Sequence, residues 1–172
     1  MIEKISNKVL LKMDDEYIKI TKEILSHPEF IKRKQYVHHE NRSVYAHCLV
    51  VSVYSYNIAK KIGLNYKEVA ISGLLHDFYY NDWQLSKEKR AFFKLHGFVH
   101  AKEALENAKL CFPTMINKKV ENAIKRHMFP LNVVPPLYFE SWLICVIDKY
   151  CSCEIFLYPH KLYKYIGITE RR

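Results

Sequence analysis

The ionisable residues of this chain fall where helices bury their apolar sides. Val44, Val51, Tyr54, Ile58 and Ile62 recur at helical spacing, and His47 lies on the same stripe, three residues after Val44 and four before Val51. His76 follows Val69 and Gly73 in the same phase, His127 follows Val120 and Ile124, and Asp148 sits between Ile144–Cys145 and Cys151. His100 heads a face of small residues, Ala101, Ala104 and Ala108. A 3.6-residue period turns such stripes towards a core, so a fold that buries them gathers these imidazoles and carboxylates. One histidine on an apolar stripe is ordinarily a hydrogen-bonded core residue. An isolated buried carboxylate is costly unless paired or bound to metal, and on a helix Lys149 points about a quarter-turn away from Asp148. A divalent cation shared among imidazoles and carboxylates would answer several of these costs together.

Start and stop signals mark the helices that carry the stripes. Asp14 or Asp15 caps a first helix to about Ser26, and a short one follows Pro28. Ser43 caps a long helix that stops at Gly63, and Asn65 with Glu68 resembles a capping box opening a helix that ends near Asp77. Further helices are expected from about Phe98 to Cys111, from Asn117 to before Pro130, and from about Tyr138 to Leu157, with a short one after Ser86. Val133-Val134 lies beside Pro135 and Pro136, which disfavours a paired strand. With 4 glycines and 6 prolines in 172 residues, long helices joined by short loops fit better than a turn-rich sandwich. The class expected is all-α, as one domain over 1–172.

Other chemistries lack their motifs. There is no Cys-x-x-Cys pair, no His-Glu-x-x-His, no glycine-rich phosphate loop and no Gly-x-Ser-x-Gly elbow. The 5 cysteines are odd in number in a chain too large to need stapling. On a helix Cys151 and Cys153 point to nearly opposite sides, so all five read as small buried or half-buried thiols. Met1 to Lys12 has no secretory pattern, and no apolar run approaches the roughly 20 residues of a membrane span, so a cytoplasmic protein without a membrane partner is expected. The net charge of +9 suits an anionic partner. No Lys/Arg run is dense enough for a groove-binding arm, which weighs against nucleic acid.

A His in a long helix, His-Asp closing a second helix and an Asp in a late helix resemble the HD phosphohydrolase superfamily. The positions are His47, His76-Asp77 and Asp148, in the phrases Gly73-Leu74-Leu75-His76-Asp77 and Ile147-Asp148-Lys149. The resemblance spans 36–154, leaving 1–35 and 155–172 as peripheral extensions, and implies a compact helical bundle of the HD-domain type. It implies one metal held by His47, His76, Asp77 and Asp148. Members with two metals use further histidines between the pair and the last Asp. Here His100 and His127 would join a bridging Asp77, with His96, one turn earlier, competing with His100.

The implied activity is hydrolysis of a phosphate ester, monoester or diester, nucleotides included, by a metal-activated hydroxide. One or two divalent ions would serve, from iron, manganese, cobalt, nickel or zinc. Asp77 would carry the catalytic metals, and Asp82 is a candidate general acid or else the cap of the next turn. Arg42, with His38 and His39, precedes the first ligand helix and is a candidate for the site mouth. His96, Arg126 and Lys149 are candidates for the substrate, the last two as phosphate contacts or else as surface charges or structural partners. Two alternatives stand beside this: a di-iron oxygenase, as some relatives are, or a non-enzymatic nucleotide or nucleic-acid binder. The oligomeric state is not readable from the sequence.

Overall fold

The computed structural model describes residues 12–36, 43–79 and 96–157, with the side chains of 96–99 and 153–157 outside that description. Its seven α-helices are α1 (Asp15–Ser26), α2 (Pro28–Ile31), α3 (Val44–Ile62), α4 (Tyr66–Leu75), α5 (His96–Cys111), α6 (Lys118–Arg126) and α7 (Phe139–Leu157). Short 3₁₀ turns occupy Lys32–Gln35 and Pro113–Met115, and the described residues contain no strand. The architecture is the expected all-α bundle. The helix expected after Ser86 lies outside the described residues, as do Arg42 and Asp82.

Local chemistry sets the boundaries. The Asp14 carboxylate accepts from the Tyr17 amide at 2.8 Å, the Ser43 hydroxyl from the Ala46 amide at 3.2 Å, and the Asn117 carbonyl from the Lys119 and Val120 amides at 3.0 Å each. Gly63 ends α3 with φ of 77°, a left-handed conformation that costs other residues a Cβ clash. At α4 only half of the capping box forms. Asn65 accepts from the Glu68 amide, but the Glu68 carboxylate accepts from Asn117 Nδ2 at 2.6 Å, and Glu140 from α7 takes the Asn65 backbone amide.

The centre of the bundle is α3. The sequence marks a stripe of Val44, Val51, Tyr54, Ile58 and Ile62, yet nearly every residue from Val44 to Tyr56 is buried, including Ala46, Leu49, Val50 and Val53, while Ile62 at the far end is exposed. The reason is tertiary: α3 packs against α4 and α7, and the 3₁₀ turn before it closes over its start. A helix covered on several sides loses its polar face, and periodicity then understates its burial.

The α3–α4 seam sets how near the ligand-bearing residues can come. A Cβ on Gly73 would lie 2.4 Å from the Ser52 Cα and 2.9 Å from its Cβ and N, so only glycine allows the observed approach. Ser52 ties three helices there, donating to the Ala70 carbonyl at 2.7 Å and accepting from Tyr17 of α1 at 2.8 Å. His76 lies one turn beyond Gly73, and His47 just over one turn before Ser52.

Past α4 the chain is fixed by aromatic packing. Phe78 lies between Phe30 and Phe112, with ring centroids 6.1 and 5.7 Å away, and its carbonyl accepts from Asn107 at 2.9 Å. The buried guanidinium of Arg33 stands over the Phe78 ring at 4.6 Å and over Tyr36 at 5.1 Å. Asp77 is thereby held between the end of α4 and an anchored residue.

The seam gives a direct test. Gly73→Ala must displace Ser52 backbone, so urea unfolding should show a loss of about 1–3 kcal/mol or more. Unchanged stability would show that the helices can separate freely at this point.

Candidate metal centre

Six buried side chains from five helical segments meet in the interior: His47 from α3, His76 and Asp77 from the end of α4, His100 from α5, His127 from the end of α6 and Asp148 from α7. They form two groups, His47–His76–Asp148 and Asp77–His100–His127. In the first, the Nε2 atoms of His47 and His76 are 3.2 Å apart, and Asp148 Oδ1 lies 3.0 Å from His47 and 3.5 Å from His76. In the second, the Nε2 atoms of His100 and His127 are 3.0 Å apart, and Asp77 Oδ1 lies 3.3 and 3.4 Å from them. The other Asp77 oxygen turns to the first group, with Oδ2 at 3.6 Å from His76 and 3.9 Å from His47. One carboxylate therefore spans both groups.

The donor set fits cations. His76 Nδ1 meets the Gly73 carbonyl at 2.8 Å and His127 Nδ1 meets the Ile124 carbonyl at 2.7 Å. A carbonyl only accepts, so each Nδ1 carries the proton, and in neutral imidazole each Nε2 presents a lone pair inward. Nitrogens facing each other this closely need a proton or a cation to share. Metal–nitrogen bonds of about 2.1 Å put neighbouring donors about 3.0 Å apart at right angles and about 3.4 Å at the tetrahedral angle. Five of the six spacings fall in that range and the sixth, Asp148 to His76, is 3.5 Å, so each group could hold a divalent cation.

The charges show what a cation must displace. Burial alone would lower the pKa of His76, but Asp77 beside it and the bond to Asp148 outweigh burial and push it up to about 9. At His127 burial wins over the attraction of Asp77, and its pKa falls. Burial would raise Asp148, yet His47 and His76 hold it well below the usual carboxylate range.

The remaining candidates are placed unevenly. Lys149 directs its ammonium at the His127 carbonyl at 2.7 Å and at Cys145, with the carbonyl and Sγ both at 3.3 Å. It thus braces the end of α6 against α7, which is the structural-partner alternative of the sequence reading. Arg126 is half-buried, and its Nε has no hydrogen-bond partner among the described residues. His96 opens α5, but its side chain lies outside the described residues, as does that of Cys153; His100 stands in the second group. Cys48, Cys145 and Cys151 are buried and Cys111 is half-buried, as expected.

Two neighbours escaped the sequence reading. Tyr79 is buried edge-on against His100, with centroids 5.9 Å apart, and Arg33 is buried behind Phe78. Arg33 sits within the basic triplet Lys32–Lys34, which looks like a solvated run. At roughly 120° per residue in the 3₁₀ turn, the middle member points inward while Lys32 and Lys34 stay exposed.

The family model described as HD domain matches residues 44–152, a span that contains all six clustered side chains. Comparisons with curated proteins and with solved structures yield no match.

The elevated pKa of His76 makes metal uptake a proton-releasing event. Below about pH 9 the metal-depleted protein carries a proton at His76, and a cation must expel it. Titration with Mn²⁺ or Zn²⁺ in weak buffer should therefore acidify the solution. The logarithm of the apparent association constant should rise by about one for each pH unit between about pH 6 and 8 for each proton expelled. Affinity independent of pH across that window would mean that His76 is not a ligand.

Proposed function

Since this chain belongs to the HD-domain family, we propose that it is a metal-dependent phosphohydrolase, with His47, His76, Asp77 and Asp148 holding one divalent cation and Asp77, His100 and His127 a second. The observation that carries this reading is the posture of Asp77, whose two oxygens face two separate histidine groups. Four imidazoles and two carboxylates without a thiolate suit iron, manganese, cobalt, nickel or zinc. Cations held there neutralise phosphoryl charge and make water a nucleophile near neutral pH.

The chain's own contribution is orientation and charge. Two buried carboxylates leave the loaded centre with a positive excess, which favours an anionic phosphate ester over a neutral one. The Nδ1 bonds to Gly73 and Ile124 lock two imidazoles against rotation, so the donors need not reorganise. Arg126, which forms no ion pair among the described residues, is the candidate for a phosphate oxygen; Arg42 and His96 are candidates for the mouth. Asp82, five residues beyond Asp77, is the candidate to protonate the leaving oxygen. The substrate class is a phosphorylated small molecule, nucleotides included. Free buried thiols agree with a reducing cytoplasmic setting, and no helix among the described residues is long and apolar enough to cross a membrane.

The test is phosphate release from a panel of mono- and diesters, with metal-depleted protein as control. His76→Ala and Asp77→Ala should each abolish release, by at least about 10³-fold, with helix content retained. Activity that survives both substitutions would sink the mechanism. Iron-loaded protein that consumes oxygen and releases no phosphate would establish the oxygenase alternative instead.

The two groups should also separate by metal analysis. His100→Ala should bind one equivalent where the parent binds two. Lys149→Met frees the His127 carbonyl and should weaken the same second equivalent by roughly 10–100-fold, in the manner of other outer-shell losses. Equal loss of both ions in either variant would contradict the division.

A further inference from the structure

Asp77 lies beyond the last turn of α4, where the helical ladder gives way. The Phe78 amide donates to the Leu75 carbonyl at 3.2 Å and the Tyr79 amide to the Asp77 carbonyl at 2.9 Å. These bonds reach back three and two residues, in place of the four of an α-helix. A carboxylate on so short a turn keeps one direction only if its neighbours are pinned. On one side the Asp77 backbone amide bonds the sulfur of buried Cys48, the residue after His47. On the other the Phe78 carbonyl accepts from Asn107, and the Phe78 ring lies among Phe30, Phe112 and the Arg33 guanidinium.

Arg33 is the unexpected member of this set. It is fully buried, and taking a guanidinium out of water is costly where an apolar residue could pack among the same rings. Two ring faces offset that cost, Tyr36 at 5.1 Å and Phe78 at 4.6 Å, in desolvated surroundings that strengthen cation–π attraction. The residue comes from the 3₁₀ turn Lys32–Gln35, ahead of the span 44–152 that the HD model matches.

We infer that Arg33 is a positioning residue of the metal centre: by clamping Phe78 it holds Asp77 in the posture that serves both histidine groups. The inference rests on the reading of the centre given above. The two groups depend on Asp77 unequally. Without it the first keeps His47, His76 and Asp148, and the second keeps only His100 and His127. A loosened Asp77 therefore falls mainly on the second cation. The segment ahead of the matched span thus contributes to the centre through a side chain that stands behind a ligand's neighbour.

Two measurements on the full chain test this. In metal-depleted protein, Arg33→Met should speed amide exchange at Phe78 and Tyr79 by about tenfold or more, leaving the amides of Val50 to Val53 in α3 unchanged. In Mn²⁺ titration the same variant should weaken the second equivalent by roughly 10–100-fold, the range of outer-shell losses, and the first by less. A general loss of stability would weaken both ions alike and speed exchange throughout. Arg33→Lys, which keeps a cation over the rings, should recover most of both effects. Should Arg33→Met fail to fold, Tyr36→Leu removes one of the two rings at a half-buried position and should show the same selectivity in smaller measure. Unchanged exchange at Phe78 and Tyr79 in Arg33→Met, equal loss of both ions, no recovery in Arg33→Lys, or no selectivity in Tyr36→Leu would each overturn the inference. A parent chain that takes up no Mn²⁺ would instead end the reading of the centre, and exchange alone would then decide whether Arg33 holds the Asp77 turn.

Discussion

The structure turns on the contest between burial and charge at Asp77. Its carboxylate is buried with four imidazoles and one further carboxylate around it, and each oxygen serves a different pair of histidines. Removing such groups from water costs several kcal/mol per ion unless they are matched. Matching here requires positive charge at two points. Protons can supply part of it, as the raised pKa of His76 records, but a divalent cation in each group would meet its facing lone pairs at once. With cations bound, groups that would be costly defects of an apolar core would serve as ligands instead.

Helix ends do much of the ordering. A helix leaves its last carbonyls without partners. At α4 and α6 the residue at the C-terminal cap is a histidine, His76 and His127, and each ring donates Nδ1–H to a carbonyl of its own last turn, Gly73 and Ile124. One bond satisfies an orphan carbonyl, selects the tautomer and aims Nε2 inward. Lys149 adds to this from α7 by binding the His127 carbonyl itself. The seam at Gly73 and Ser52 then fixes how close the first of these helix ends comes to His47.

α7 joins the interior to the surface. Asp148 faces the metal centre on one side, and the opposite side carries Phe139, Trp142, Val146 and Tyr150. Apolar on both sides, α7 has the character of an enclosed helix.

Residue order alone determined the helices and the identity of the inward ionisable residues. Asp14, Ser43, Gly63 and Asn117 mark boundaries through short-range bonds and backbone conformations. His47, His76, His127 and Asp148 stand out because a polar residue in an apolar phase is visible in one dimension. Tertiary structure decided what periodicity cannot express. It buried α3 on nearly all sides, turned Arg33 inward from a basic triplet, and directed Lys149 to a carbonyl. It also divided six candidate ligands into two groups joined by Asp77. A helix's phase says which residues point the same way, whereas the distance between donors on different helices depends on how closely those helices pack, and here a missing Cβ at Gly73 sets that distance.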